Sequence, residues 1–213
     1  MIDQALRAQL APSLDRVATR LAARDVPALG LTAAGLLAGL GASVAIAESA
    51  WTLALVLWLA NRVLDGLDGP IARRRGVTEL GGLLDFVADF VVYSGFVLGV
   101  AIAHPSARLA CVTLLATYLV NNVALLSFSS VIERLGLELG DERSLRLTTG
   151  IAEGTETIVV YCLFCLLPGS STTIAWGFAG LVAITAVQRV AQAALILRQA
   201  SPGWARGIGS PEE

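Results

Sequence analysis

The chain has no lysine: all fifteen basic residues are arginine. Charge of either sign is scarce, with 15% of residues charged against about 25% in ordinary soluble domains. Hydrophobic residues make up 55%, and mean hydropathy is +0.72. The shortage of charge excludes an ordinary soluble domain, and without a long basic run nothing points to nucleic acid as a partner. Histidine occurs once, at His104, and the three cysteines (Cys111, Cys162, Cys165) all lie in apolar runs. Cys162 and Cys165 form a lone CxxC, whereas a structural zinc site takes four ligands. Neither a zinc site nor a disulfide framework is expected. No short apolar segment followed by a cleavage site opens the chain, so no signal peptide is expected. Arginine in place of lysine suits a GC-rich bacterial genome.

What is abundant is apolar sequence in lengths that fit a bilayer, about 20 residues per crossing helix. Six runs qualify: Ala28–Ala47; Trp51 to the Asn61–Leu64 region; Gly81–Ala103; Leu109–Ser130; Ile151–Leu167; and Thr172–Leu197. Before them, Leu6, Leu10, Leu14, Val17 and Leu21 recur every three or four residues between charged positions. That period predicts an amphipathic helix lying in the membrane interface; a solvated helix is the alternative. The expected fold is an all-α integral membrane protein of six transmembrane helices. Residues 1–26 would form the interfacial helix, 27–200 the helical domain and 201–213 a C-terminal tail. With six crossings both termini share one side. That side takes every arginine except Arg108, on a short opposite loop, and Arg189, inside the sixth run. The bias predicts cytoplasmic termini, in a bacterial inner membrane.

The chemistry lies where the second and third runs meet. Asp65 and Asp68 are three apart, and Asp85 and Asp89 four apart, so each pair projects from one helical face. The runs are joined by a short loop, which predicts antiparallel neighbours with four carboxylates converging near the cytoplasmic ends. Acids at membrane depth cost about 2.5–3.5 kcal/mol each on insertion scales, and four together repel, so they need compensation. Hard divalent cations supply it through carboxylate oxygens, which predicts Mg²⁺ or Mn²⁺, with two ions suited to pyrophosphate chemistry. Structural salt bridges to Arg62, Arg73, Arg74 and Arg75 are the competing account. Gly66, Gly69, Gly81 and Gly82 flank the acids and clear space for a ligand such as a nucleotide.

The stretch from Asp65 to Asp89 closely resembles the signature of the CDP-alcohol phosphatidyltransferases, D-x2-D-G-x2-A-R followed by G-x3-D-x3-D. Asp65, Asp68, Gly69, Ala72, Arg73, Gly81, Asp85 and Asp89 all match. The spacer from Arg73 to Gly81 is one residue shorter than the family usually shows. The resemblance implies that Asp65, Asp68 and Asp85 are metal ligands and that Asp89 completes the set and acts as general base. It implies that Gly69 and Arg73 contact a CDP group, with Ala72 and Gly66 permitting close approach and Thr32, after Pro27, near the nucleotide. The implied activity is in phospholipid biosynthesis. A phosphatidyl group passes from a CDP-lipid such as CDP-diacylglycerol to a polar alcohol, and CMP leaves. Some relatives instead pass a CDP-linked head group to a lipid alcohol. A homodimer is also implied, and small-residue steps such as Gly35-x3-Gly39 permit close helix contacts.

The acceptor is less well marked. Arg189 in the sixth run, with Gln188 and Gln192, suits an anionic group or an internal ion pair. Arg134, Arg143 and Arg146 would add to a basic pocket or simply follow the charge bias. Glu153 and Glu156, where the fifth run begins, suit the helix macrodipole or a wall facing a polyol or amine. Asn121 and Asn122 would face the same cavity. A cation-transporting protein is the alternative from another class; it predicts acids spread through the bilayer depth rather than gathered at one face. An inactive scaffold would lack the complete acidic set.

Overall fold

The computed structural model describes residues 15–21, 23–24, 27–134, 136 and 154–200, with backbone alone at 199 and 200. Arg143, Arg146, Glu153, the start of the amphipathic segment and the tail 201–213 lie outside the described residues. All regular structure within them is helical. Residues 15–21 are helical, and six longer helices follow: α1 (Ala28–Ala47), α2 (Trp51–Arg75), α3 (Glu79–Ala103), α4 (Arg108–Arg134), α5 (Gly154–Leu166) and α6 (Ser171–Ala200). Short 3₁₀ turns opened by Pro105 and Pro168 lead into α4 and α6.

Four of these helices, α1, α3, and α4 and α6 with their leading turns, are long and apolar enough to cross a membrane. Their outward faces suit lipid as solvent: Leu37 is 71% exposed and Leu109 70%. α2 falls short of the same standard because its uncharged part ends at Asn61 while the helix continues past the expected Asn61–Leu64 limit. It carries Arg62, Asp65, Asp68 and Arg73–Arg75 within one helix. Pro70 sits inside that helix, and its carbonyl accepts from Arg74 Nη1 at 3.2 Å. α5 has 13 described residues, about 20 Å of helix, less than a crossing needs.

α1 packs closely on both α2 and α3. Glycines allow this. A Cβ on Gly39 would collide with the Val92 side chain, and one on Gly99 would lie 2.5 Å from the Ser43 carbonyl oxygen. The Gly35-x3-Gly39 step is therefore used inside the protomer, with Gly35 against Asn61 and Leu64 of α2. α2 and α3 are neighbours, as expected. Few of their backbone positions come close; they meet chiefly through long side chains, and α1 lies against both. One such contact is Trp58 on Phe96, with ring centroids 5.5 Å apart. Tyr161 of α5 stacks on Phe96 at 4.6 Å and lies 4.8 Å from Trp58, which joins α5 to this aromatic core. α4 and α6 form a second close pair, with α4 touching α3 and α5 touching both α2 and α6.

The seven-residue spacer is accommodated without distortion of either helix. α2 runs to Arg75, and Gly76 at φ +106° turns the chain in a region that side chains rarely enter. Thr78 then caps α3, its hydroxyl accepting from the Gly81 N–H at 3.1 Å. A Cβ on Gly81 would press on that hydroxyl at 2.9 Å, so this glycine serves the cap as well as the motif.

Candidate active site

Both acidic pairs lie on continuous helix, so their spacing in sequence becomes a spacing in space. Asp65 and Asp68 on α2 and Asp85 on α3 bring one carboxylate oxygen each to within 4.8 Å of one another. They line a small cavity with Thr32, Gly35, Asn61 and Asp89. Its volume of about 10 Å³ holds one water-sized sphere or ion. Asp68 is buried. Its Oδ2 accepts from the Thr32 hydroxyl at 3.0 Å, which places Thr32 beside the acids.

Two carboxylates about 4 Å apart repel by roughly 4 kcal/mol at an effective dielectric near 20. A triad this tight, with oxygen as its only donor, fits a hard divalent cation. Oxygens bound to such an ion at about 2.0–2.6 Å are mutually separated by distances of this order. The donor chemistry therefore matches the metal, with Asp65, Asp68 and Asp85 as the residues to hold it.

Asp89 stands outside that triad while lining the same cavity. Its Oδ1 accepts from Arg62 Nη2 at 2.7 Å. Arg62 also approaches Asp65 Oδ2 at 3.4 Å. The salt-bridge account is thus partly realised, through Arg62. Arg74 pairs with Asp15 at 2.7 Å, away from the triad. Arg73 is exposed, and its Nη1 would lie 3.5 Å from a Cβ on Gly69, so the guanidinium folds back over that glycine. Ala72 and Gly66 are half-buried on α2 near this end. Nothing lies within 4 Å of a Cβ placed on Gly82.

Sequence reasoning treated Arg62 only as a counter-charge and passed over Asn61 and Tyr93. The signal was present in the spacing. Trp58, Arg62 and Asp65 fall on one face of α2, and Asp85, Asp89 and Tyr93 fall on one face of α3.

The acceptor candidates lie elsewhere. Arg189 Nη1 donates to Asn121 Oδ1 at 3.1 Å, linking α6 to the buried face of α4. Glu156 sits half-buried in the first turn of α5. None of these lines the acidic cavity.

Residues 26–188 match the family model for CDP-alcohol phosphatidyltransferase. The chain belongs to that family. As a CDP-alcohol phosphatidyltransferase it is a membrane enzyme of phospholipid biosynthesis, a transferase of phosphate-linked groups between CDP-alcohols and alcohol hydroxyls. Inner membrane protein YnjF of Escherichia coli is 33% identical over 201 residues, covering 93% of this chain and 98% of that protein. The phosphatidylcholine synthase of Mesorhizobium japonicum is 42% identical over 69 residues, 30% of this chain and 25% of that protein. Among solved structures, Mycobacterium tuberculosis phosphatidylinositol phosphate synthase with CDP-DAG bound superposes with a TM-score of 0.68. It is 20% identical and covers 84% of this chain and 92% of that one. The same enzyme in complex with manganese and citrate also gives 0.68, at 19% identity and coverages of 84% and 88%. At such identities the likeness concerns the fold.

Proposed function

We propose that this phosphatidyltransferase moves a phosphatidyl group from a CDP-lipid, CDP-diacylglycerol, to the hydroxyl of a polar alcohol, with Asp89 as general base and release of CMP. The observation that carries the reading is the triad of oxygens on Asp65, Asp68 and Asp85, gathered in one cavity that Asp89 also lines. One or two Mg²⁺ or Mn²⁺ ions held there would neutralise pyrophosphate oxygens. The family signature assigns Gly69, Ala72 and Arg73 to the CDP group, and Gly66 beside the acids and Thr32 on α1 are added to them. In support, Thr32 is already bonded to Asp68, and Arg73 lies over Gly69. Asp89 takes the proton from the acceptor hydroxyl. The acceptor oxygen bonds to the phosphorus on the lipid side, the pyrophosphate P–O bond breaks, and CMP carries away its electron pair. Relatives named for phosphatidylcholine and phosphatidylinositol phosphate favour this direction over head-group transfer to a lipid alcohol.

The reading places six crossings in a bacterial inner membrane, with α2 and α5 completing the set and the termini and the acids on the cytoplasmic side. The arginine bias supports it. Arg189, Glu156, Arg146 and Glu153 are assigned to the acceptor side. A homodimer would pack through surfaces other than Gly35 and Gly39, which are occupied within the protomer.

The test is CMP release by purified protein from CDP-diacylglycerol with Mg²⁺ or Mn²⁺. Inositol, inositol phosphate, glycerol phosphate, serine and amino-alcohols are offered as acceptors. Asp89→Asn is expected to lower turnover by about 10³-fold while the protein stays monodisperse. Undiminished turnover in that variant removes Asp89 from the role.

A further inference from the structure

We propose that Arg62 is a positioning residue for the transfer: it grips one carboxylate oxygen of Asp89 and thereby aims the other at the acceptor hydroxyl. The inference rests on the reading of Asp89 as general base.

The side chain of Arg62 is only 7% exposed, and all three of its nitrogens are engaged. Nε donates to Asn61 Oδ1, Nη1 to the Tyr93 hydroxyl and Nη2 to Asp89 Oδ1, each at 2.7 Å. Its guanidinium carbon lies 4.8 Å from the Trp58 ring centroid and 5.0 Å from that of Tyr93, so two aromatic faces fix its plane. The partners are themselves held. Asn61 Nδ2 donates to the Gly35 carbonyl at 2.8 Å, and the Tyr93 carbonyl accepts from the Tyr161 hydroxyl at 2.9 Å. Tyr161 meets the Tyr118 hydroxyl at 3.2 Å. Arg62 is therefore braced from α1, α3, α4 and α5.

The bond lengths decide what this bracing is for. A cation present only to offset the triad would favour Asp65, one helical turn away. Instead the short bond goes to Asp89 on another helix, the acid outside the triad, while Asp65 is left at 3.4 Å. The carboxylates are thereby divided between two tasks. Three face one another, and the fourth is held by an organic cation that cannot leave. A single bond from Nη2 to Oδ1, made by a guanidinium whose other nitrogens and faces are already occupied, restrains the Asp89 carboxylate, and the proposal assigns Oδ2 to the acceptor hydroxyl. Lysine would keep the charge but lose the fork and the stacking.

The experiment uses the full chain in detergent or nanodiscs, with CDP-diacylglycerol, saturating Mn²⁺ and the five acceptor types supplied as one mixture. Arg62→Lys is expected to lower kcat by about 100-fold, the scale of a small misplacement of a reacting group. Its donor KM, and its Mn²⁺ affinity from the electron paramagnetic resonance signal of free Mn²⁺, should stay within about threefold of wild type. If Arg62 acts through Asp89, Arg62→Lys combined with Asp89→Asn turns over no more slowly than Asp89→Asn alone. A native kcat in Arg62→Lys overturns the proposal. So does a fully multiplicative double variant, or a loss confined to Mn²⁺ affinity that saturating metal repairs. Because lysine retains the buried charge, the melting temperature of Arg62→Lys reports whether the fold survives. Failure of the underlying base assignment shows separately, as native turnover in Asp89→Asn, a variant that leaves Arg62 in place.

Discussion

The two halves of the molecule are packed by different rules. In α1–α3 the helices are wedged together through glycine, and the polar groups around the acids answer one another: Thr32 to Asp68, Arg62 to Asp89, Asn61 to the Gly35 carbonyl. In α4–α6 the glycines Gly177 and Gly180 face open space. Polar atoms there are satisfied unevenly. Arg189 reaches Asn121 and Tyr118 meets Tyr161, while Gln192 Oε1 and Ser129 Oγ are buried with no hydrogen-bond partner among the described residues. A buried polar atom in that position costs about 1–3 kcal/mol. The half that carries the family signature is built as a finished piece. The half assigned to the acceptor packs α4 on α6 as a close pair too, but without glycine at the seam.

The sharpest way to break the contrast is to disable the finished half. Removing divalent metal with a chelator, or making Asp68→Ala, is expected to abolish CMP release; only the chelated wild type should recover when Mn²⁺ is added back. Residual metal-independent turnover would count against the triad as the centre of the chemistry. Next in size is Arg189→Gln, expected to raise the KM of a phosphorylated acceptor by about tenfold while the donor KM holds, read from initial rates. An equal rise in donor KM would erase the division between the halves. Third, Gly99→Ala places a methyl against the Ser43 carbonyl and should destabilise by about 1–3 kcal/mol, read as a lower melting temperature in detergent. Last and smallest, Gly177→Ala on α6 meets nothing and should stabilise by about 0.5–1 kcal/mol through helix propensity alone. Opposite signs for the last two substitutions test whether close packing is confined to one half.

Much of this was legible in the chain. Asp65, Asp68, Asp85 and Asp89 announce themselves by acid in apolar surroundings, and their spacing on helical faces was enough to bring three of them together. Thr32 was also placed at the site through the family pattern. The apolar run of α2 was bounded at Asn61–Leu64, with Asp65 and Asp68 placed on the helix beyond it, but its continuation to Arg75 was not legible. The backbone hydrogen-bond ladder does not stop where side chains become polar, and a helix leaving the hydrocarbon core continues into the interface. The way α2 and α3 meet was missed for another reason. A short loop shows that two helices turn back on each other, but not that a third will pack against both more closely than they pack on each other. Arg62 was read only as a counter-charge because its partners Tyr93 and Asp89 are 31 and 27 residues away: helical spacing puts each set on one face but does not show that the two faces meet.

The glycine face of α1 has one more consequence. α2 and α3 are tied at one end by a link of three residues, and along their length each leans on the same third helix. Their splay is therefore dictated by the girth of α1 at Gly35 and Gly39. The spacing of the carboxylates, and with it the size of ion the proposed site would embrace, is shaped in part by a helix that contributes no acid of its own.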